Sequence, residues 1–259
     1  MELIESECSL FSFTTQPTPL THATKSAMRL VHTASIPGES GELGLYQRWA
    51  DYFIKIVGGQ DLMSTRAHAS EDALGVIACK GLREIPEVRV LIGGLGMGFT
   101  LSATLKTLGA DAEVVVAEIV PGIVAWNRGV LGSFAGRPLE DTRTQIQTVD
   151  VTVLIQKERD GFDAIVLDVD NGPDGLTRAS NQWLYSKRGL SMVYRALQPG
   201  GALTIWSAGP DKAFTKRLRA AGFAVEEIRV RAHAGKGARH VIWMARRGRD
   251  PRPAGTGGS

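Results

Sequence analysis

The chain has 259 residues, of which 43% are hydrophobic and 22% charged, with a formal net charge of +3. This is the composition of a globular protein, enough for one large domain or one domain with an appendage, and so mild a basicity does not call for a nucleic-acid partner. Cys8 and Cys79 form neither a disulfide framework nor a metal-binding spacing, Glu2, Glu5 and Glu7 argue against a secretory leader, and no apolar run approaches the roughly 20 residues of a membrane span, so a cytoplasmic setting is expected.

Residues 1 to about 35 are rich in Ser, Thr and Pro, as in Thr14-Thr15-Gln16-Pro17-Thr18-Pro19, and read as loops or irregular edge structure. Short strands are expected over 43–49 and 52–57, followed by a Gly58-Gly59 turn, so residues 1–80 read as a small β-rich region. A helix over 71–82 is predicted from Leu74, Ile77 and Ala78, which share one face. Strand and helix patterns then alternate. Strands are expected over 88–92, 113–117, 144–149, 164–167, 202–206, 224–230 and 240–245, and helices over 99–108, 121–131, 151–158, 190–197 and 211–221. Pro121 suits a first helical turn, and Gly200-Gly201 and Gly222 suit helix ends. The alternation predicts an α/β, Rossmann-like domain over 81–247, with a mostly parallel seven-stranded sheet. Its last two strands have no helix between them and are expected as an antiparallel hairpin at the edge. The Gly/Pro-rich tail, 248–259, reads as disordered.

The most informative segment is Val90-Leu91-Ile92-Gly93-Gly94-Leu95-Gly96-Met97-Gly98, an apolar strand that stops in a glycine turn before a helix. Glycines let a backbone turn sharply and approach a ligand closely, here at Gly94, Gly96 and Gly98. The next apolar strand ends in Glu118, and an acid in that position can accept both hydroxyls of a ribose. The order strand, glycines, helix, strand, acid describes a nucleoside site. The spacing Gly94-x-Gly96-x-Gly98 differs from the dinucleotide pattern and no phosphate-binding lysine follows, which suits a cofactor without phosphates, such as S-adenosylmethionine or a relative. The plainer alternative is a glycine-rich turn in an ordinary α/β protein.

Over residues 40–245 the chain resembles the spermidine synthase (polyamine aminopropyltransferase) family, which has the class I S-adenosylmethionine-dependent methyltransferase fold. The resemblance rests on the glycine turn, on Glu118 and Asp150 at strand ends, on Phe162-Asp163-Ala164-Ile165-Val166-Leu167-Asp168-Val169-Asp170, on Leu184-Tyr185-Ser186 and on Leu197-Gln198-Pro199-Gly200-Gly201. It implies a transferase that moves an aminopropyl-type group from S-adenosylmethionine or its decarboxylated form to a small amine, without a metal, and, since dimers are common in that family, as a homodimer. The family's aspartate within the glycine turn, assigned to holding the cofactor's amine, is missing from Gly93-Gly94-Leu95-Gly96-Met97-Gly98. The family's Tyr-His-Glu segment is replaced by Ala69-Ser70-Glu71, and its Pro-Ser-Gly loop has no counterpart after Trp206-Ser207-Ala208-Gly209-Pro210.

A sulfonium donor is already activated, so the protein's tasks are to align the attacking atom and to manage its proton. Asp168 is the first candidate for orienting or deprotonating an amine, because it closes a strand at the edge where open α/β sheets place their ligands. Asp170 stands two residues on, and two acids this close favour a cationic substrate. Tyr185 reads either as a wall of the acceptor site or as a packed core tyrosine. Asp150 reads either as a partner of the adenine amino group or as the N-cap of the helix that begins at Val151. Trp126 and Trp183 read as adenine-stacking or as packing residues. The five histidines form no metal pattern. Arg229, Arg231, Lys236, Arg239, Arg246, Arg247 and Arg249 form a basic stretch without interleaved aromatics, which argues for a solvated edge over a nucleic-acid platform. Alternatives are a small-molecule methyltransferase, a non-catalytic relative and an RNA-directed methyltransferase.

Overall fold

The computed structural model describes residues 28–168, 179–233 and 236–249. Strands β1 (Arg29–Ser35), β2 (Glu42–Arg48), β3 (Asp51–Ile56) and β4 (Asp61–Ser64) form a four-stranded antiparallel sheet in that order. Leu43, Leu45, Phe53 and Ile54 are its buried hydrophobic side chains. Strand β1 corrects the expectation of irregular structure up to residue 35. Its side chains are largely exposed, so no apolar alternation marks it. The ladder to β2, from Arg29 opposite Gln47 to Ser35 opposite Glu42, holds it instead. Ala34 also packs on Gly122 so closely that a Cβ there would collide with it.

Helix α1 (Ala69–Ala78) starts two residues earlier than predicted and stops four residues sooner. Gly81, in the left-handed region at φ +86°, lies beyond its end. The alternating half follows: β5 (Arg89–Gly93), α2 (Phe99–Thr107), β6 (Glu113–Ala117), α3 (Pro121–Arg128), β7 (Thr144–Gln147), α4 (Val151–Lys157), β8 (Phe162–Leu167), α5 (Ala179–Leu184), α6 (Lys187–Ala196), β9 (Leu197–Ser207), α7 (Lys212–Ala220), β10 (Ala224–His233) and β11 (Lys236–Arg246). Two short 3-10 turns, Gly132–Ala135 and Pro138–Glu140, connect α3 to β7. No helix among the described residues is long and apolar enough to cross a membrane.

The seven strands from β5 onward form one sheet in the order β10-β11-β9-β8-β5-β6-β7. β7, β6, β5, β8 and β9 run parallel, whereas β11 pairs antiparallel with both β9 and β10, as the missing helix predicts. The central strands are buried on both faces, which explains their continuous apolar runs. Val90, Ile92, Val114 and Val116 belong to the core shared with α1, α2 and the four-stranded sheet. Leu91, Val115, Ile165 and Leu203 face the opposite core, formed with α4, α6 and α7. Gly200 and Gly201 lie inside β9 rather than at a helix end. The β8–β9 register shifts between Phe162 and Ala164, and an irregular ladder accepts a residue at φ +87° when it is Gly200.

Helices α1 and α2 touch at Gly75. A Cβ there would lie 2.7 Å from the Thr100 carbonyl oxygen and 2.9 Å from Thr104 Oγ1, and backbone cannot step aside as a flexible side chain can. Gly75→Val is therefore expected to destabilise the protein by about 1–3 kcal/mol through overpacking. Urea unfolding measures this, and an unchanged midpoint would contradict the close approach. The contact matters for the site because α1 and α2 carry Glu71 and Thr100.

Candidate active site

Strand β5 has β6 on one side and β8 on the other, so successive connections leave it in opposite directions. Open α/β sheets bind ligands in the crevice at such a switch point, beyond the carboxyl ends of the strands. A cavity of about 260 Å³ lies there. Its floor is the glycine turn. Gly94, Gly96 and Gly98 have φ of 90°, 52° and 82°, all left-handed, which explains why glycine stands at each. Gly98 is the N-cap of α2, and a Cβ on it would lie 2.9 Å from Asn127 Oδ1. Asn127 is buried in α3, and its Nδ2 donates to the Gly96 carbonyl at 2.8 Å and to the Ile123 carbonyl at 3.0 Å. Sequence reasoning missed this residue. The available signal was an amide four residues after Ile123, on the apolar face of a helix.

Glu118 is 5% exposed. Its Oε2 accepts from the Leu95 N–H at 2.9 Å and its Oε1 from the Val120 N–H at 2.8 Å. The acid therefore fixes the turn as well as lining the cavity, and each oxygen retains a lone pair for a further donor. Burial raises its carboxyl, while backbone N–H groups from Val120, Leu95, Ile119 and Gly96 favour the ionised form. Asp150 lines the same cavity, and its Oδ1 accepts from the Thr152 N–H at 2.8 Å, so it caps α4.

Asp168 follows β8. Its N–H donates to the Gly93 carbonyl at 2.9 Å, and its Oδ2 accepts from Thr100 Oγ1 at 2.7 Å. Glu71, in the first turn of α1, lines the same cavity; its Oε2 accepts from Ser70 Oγ at 2.6 Å and its carbonyl lies 3.3 Å from Thr100 Oγ1. Next to them, His68 stacks on Phe99 with centroids 4.0 Å apart, and its Nδ1 pairs with Asp72 Oδ2 at 2.7 Å. Burial first, and then the charge of Glu71, push the Asp168 carboxyl up to about 7, against the Thr100 hydrogen bond. Glu71 is raised as well, again chiefly by burial. Glu71 and Thr100 are absent from the sequence-predicted set, because only the fold brings α1 and α2 to the end of β8.

Tyr185 is buried edge-on against Phe214, with centroids 5.5 Å apart, and does not line the cavity. Trp126 and Trp183 likewise pack into the two cores. Asp170 lies outside the described residues. Five acids line the cavity, Glu39, Glu71, Glu118, Asp150 and Asp168, and no Lys, Arg or His does so among the described residues. The remaining walls include Leu43, Ile56, Leu62, Met63 and Trp206, and Met63 lies directly over Gly96.

The raised acids set a pH dependence. A carboxyl whose folded value lies above its unfolded one stabilises the protein fully at low pH and loses that contribution as pH rises through the folded value. Thermal stability of the ligand-free protein is therefore expected to fall between about pH 4, the ordinary value of an Asp carboxyl, and about pH 7, where Asp168 ionises in the folded chain. Melting curves of wild type and Asp168→Asn check this: the variant should lose most of the slope, and equal slopes would contradict the assignment.

The architecture defines a Rossmann-like fold with an added antiparallel sheet. It is the fold of spermidine synthases: the structure of the Thermotoga maritima enzyme superposes with a TM-score of 0.67 at 16% identity, covering 86% of this chain and 74% of that one. A spermidine synthase in complex with the transition-state analogue AdoDATO gives a TM-score of 0.69 at 18% identity, covering 86% and 75%. A probable spermidine synthase from Corynebacterium glutamicum gives 0.60 at 15% identity, covering 84% and 80%. No family model matches the chain. In sequence, the polyamine aminopropyltransferase of Saccharolobus islandicus is 28% identical over 126 residues, and that of Saccharolobus solfataricus 26% over the same length. These matches span 49% of this chain and 40% of each relative. By fold and by sequence the chain is spermidine-synthase-like.

Proposed function

We propose that the protein transfers an aminopropyl group from decarboxylated S-adenosylmethionine to a small amine. The observation that carries this reading is the carboxylate pair Glu71 and Asp168, set beside a glycine turn and Glu118 in a cavity without a cationic side chain among its described residues. The residues fit such a donor. Gly94 and Gly96 leave backbone exposed to an adenosyl group while Gly98 is buried at the start of α2, Glu118 keeps acceptor capacity for ribose hydroxyls, and Asp150 retains an oxygen not used in its cap. A carboxylate-bearing donor would bring a negative charge into an acidic cavity with no cation to meet it, which favours the decarboxylated form.

The donor, when bound, supplies a carbon activated by its positively charged sulfur. The chain's own residues act on the other reactant. Asp168 accepts the ammonium proton of the incoming amine and frees its lone pair, while Thr100 fixes Oδ2 and thereby the carboxylate plane. With its carboxyl near 7, Asp168 is matched to proton transfer at neutral pH, held there by burial first and by the charge of Glu71 second. The walls from β2, β3 and β4 limit water around the reacting atoms.

The test is mass spectrometry of products after incubation with each donor and a panel of amines. 5′-Methylthioadenosine together with an alkylated amine supports the proposal. S-adenosylhomocysteine would establish methyl transfer instead, and no product with either donor would leave the non-catalytic alternative.

A further inference from the structure

The parallel ladder pairs Val166 with Thr204 and Leu167 with Ile205, so Asp168 and Trp206 come next, side by side on strands about 4.8 Å apart. Residues two apart on a strand share a face. Val166 belongs to the core shared with α1 and α2, and Asp168, two residues on, reaches Thr100 of α2 on that face. Trp206 packs against the same core and lines the cavity. The indole and the carboxylate therefore share one corner of the site. We propose that the ring of Trp206 is a second contact for the amine nitrogen, a cation–π surface beside the candidate base. This rests on the proposed amine site and adds a binding residue to it.

The Nε1 of Trp206 is buried and has no hydrogen-bond partner among the described residues, so the surface that the side chain offers to the cavity is ring carbon. Burying an unpaired N–H is costly, and Leu or Phe would line the cavity without that cost. What indole offers in return is the strongest aromatic attraction for a cation. His240, on β11, meets the ring edge to face, with centroids 4.7 Å apart and planes at 69°. Burial lowers the pKa of His240, which favours the neutral imidazole and keeps a positive charge from lying behind the indole. The reaction gives such a ring a use that a carboxylate alone does not fill. Asp168 takes the ammonium proton, the freed lone pair forms the new carbon–nitrogen bond, and the bond to sulfur breaks. The positive charge passes from sulfur to nitrogen while Asp168 is protonated and neutral. An aromatic face attracts that new cation whatever the protonation state of its neighbour.

Calorimetric titration of 1,4-diaminobutane into the full chain saturated with 5′-methylthioadenosine provides the test. Trp206→Leu is expected to weaken the diamine by about tenfold, and Trp206→Phe, which keeps a weaker ring, by about threefold. Trp206→Met replaces the Leu variant if that one does not fold. The neutral isostere 1,4-butanediol, measured by competition, should be weakened less than twofold by the same changes. Equal weakening of diamine and diol, or a Phe variant no better than Leu, overturns the proposal and leaves Trp206 as packing. If the diol does not compete in wild type, the comparison of Phe with Leu decides alone. If the diamine binds with the expected order of variants but no donor yields product, the transfer reading fails and the role of Trp206 stands. If the diamine does not bind wild type, the assignment of Trp206 fails whatever the turnover.

Discussion

Asp168→Asn is expected to lower turnover by about 10²–10⁴-fold while nucleoside affinity stays nearly unchanged, the range lost when a positioned general base is removed. The substitution keeps the volume and keeps an oxygen for Thr100 Oγ1, which stands 2.7 Å from Oδ2. The backbone bond from the Asp168 N–H to the Gly93 carbonyl is untouched, so the strand end and the adjoining turn should hold. What disappears is the group that takes the proton. In wild type the rate should rise with pH through about 7, because the base works only when ionised. Single-turnover rates across that interval provide the measurement. Full activity in the variant would rule out the catalytic role, and loss of folding or of nucleoside binding would assign Asp168 to holding its own loop.

Glu118→Ala should weaken binding of 5′-methylthioadenosine by about tenfold or more, since charge-assisted hydrogen bonds contribute roughly 1.5–3 kcal/mol. Two effects combine. The ribose loses its acceptor, and the Leu95 and Val120 N–H groups, now 2.9 and 2.8 Å from the carboxylate, are left without it. Because these donors belong to the glycine turn and the start of α3, the ligand-free variant should also melt earlier. Glu118→Gln separates the effects, since it keeps the packing and one acceptor oxygen. Equal affinity of wild type and Glu118→Ala by calorimetry would sink the ribose assignment.

The parallel strands of the sheet were legible in the sequence because both faces of the central strands are buried, which writes them as unbroken apolar runs ending in Gly93, Ala117 and Leu167, whereas their order in the sheet was not. The edge hairpin was legible because no helical pattern separates β10 from β11. Strand β1 was not, since its stability comes from a ladder and from Ala34 on Gly122, neither of which leaves an apolar period. Within the candidate site, Asp168 and Glu118 stand out because they end strands. Glu71 does not, because its partner is 97 positions away and α1 reaches β8 only through tertiary packing. Tyr185 shows the converse: a position suggested by family likeness lies in the core against Phe214.

The bond from the Asp168 N–H to the Gly93 carbonyl fastens the candidate base to the strand that carries the glycine turn. These two parts of the site are therefore one framework, whereas Leu43, Ile56, Leu62 and Met63 come from a separate sheet. A substitution among residues 43–63 can therefore reshape one wall of the cavity and leave Asp168 in register with the glycine turn.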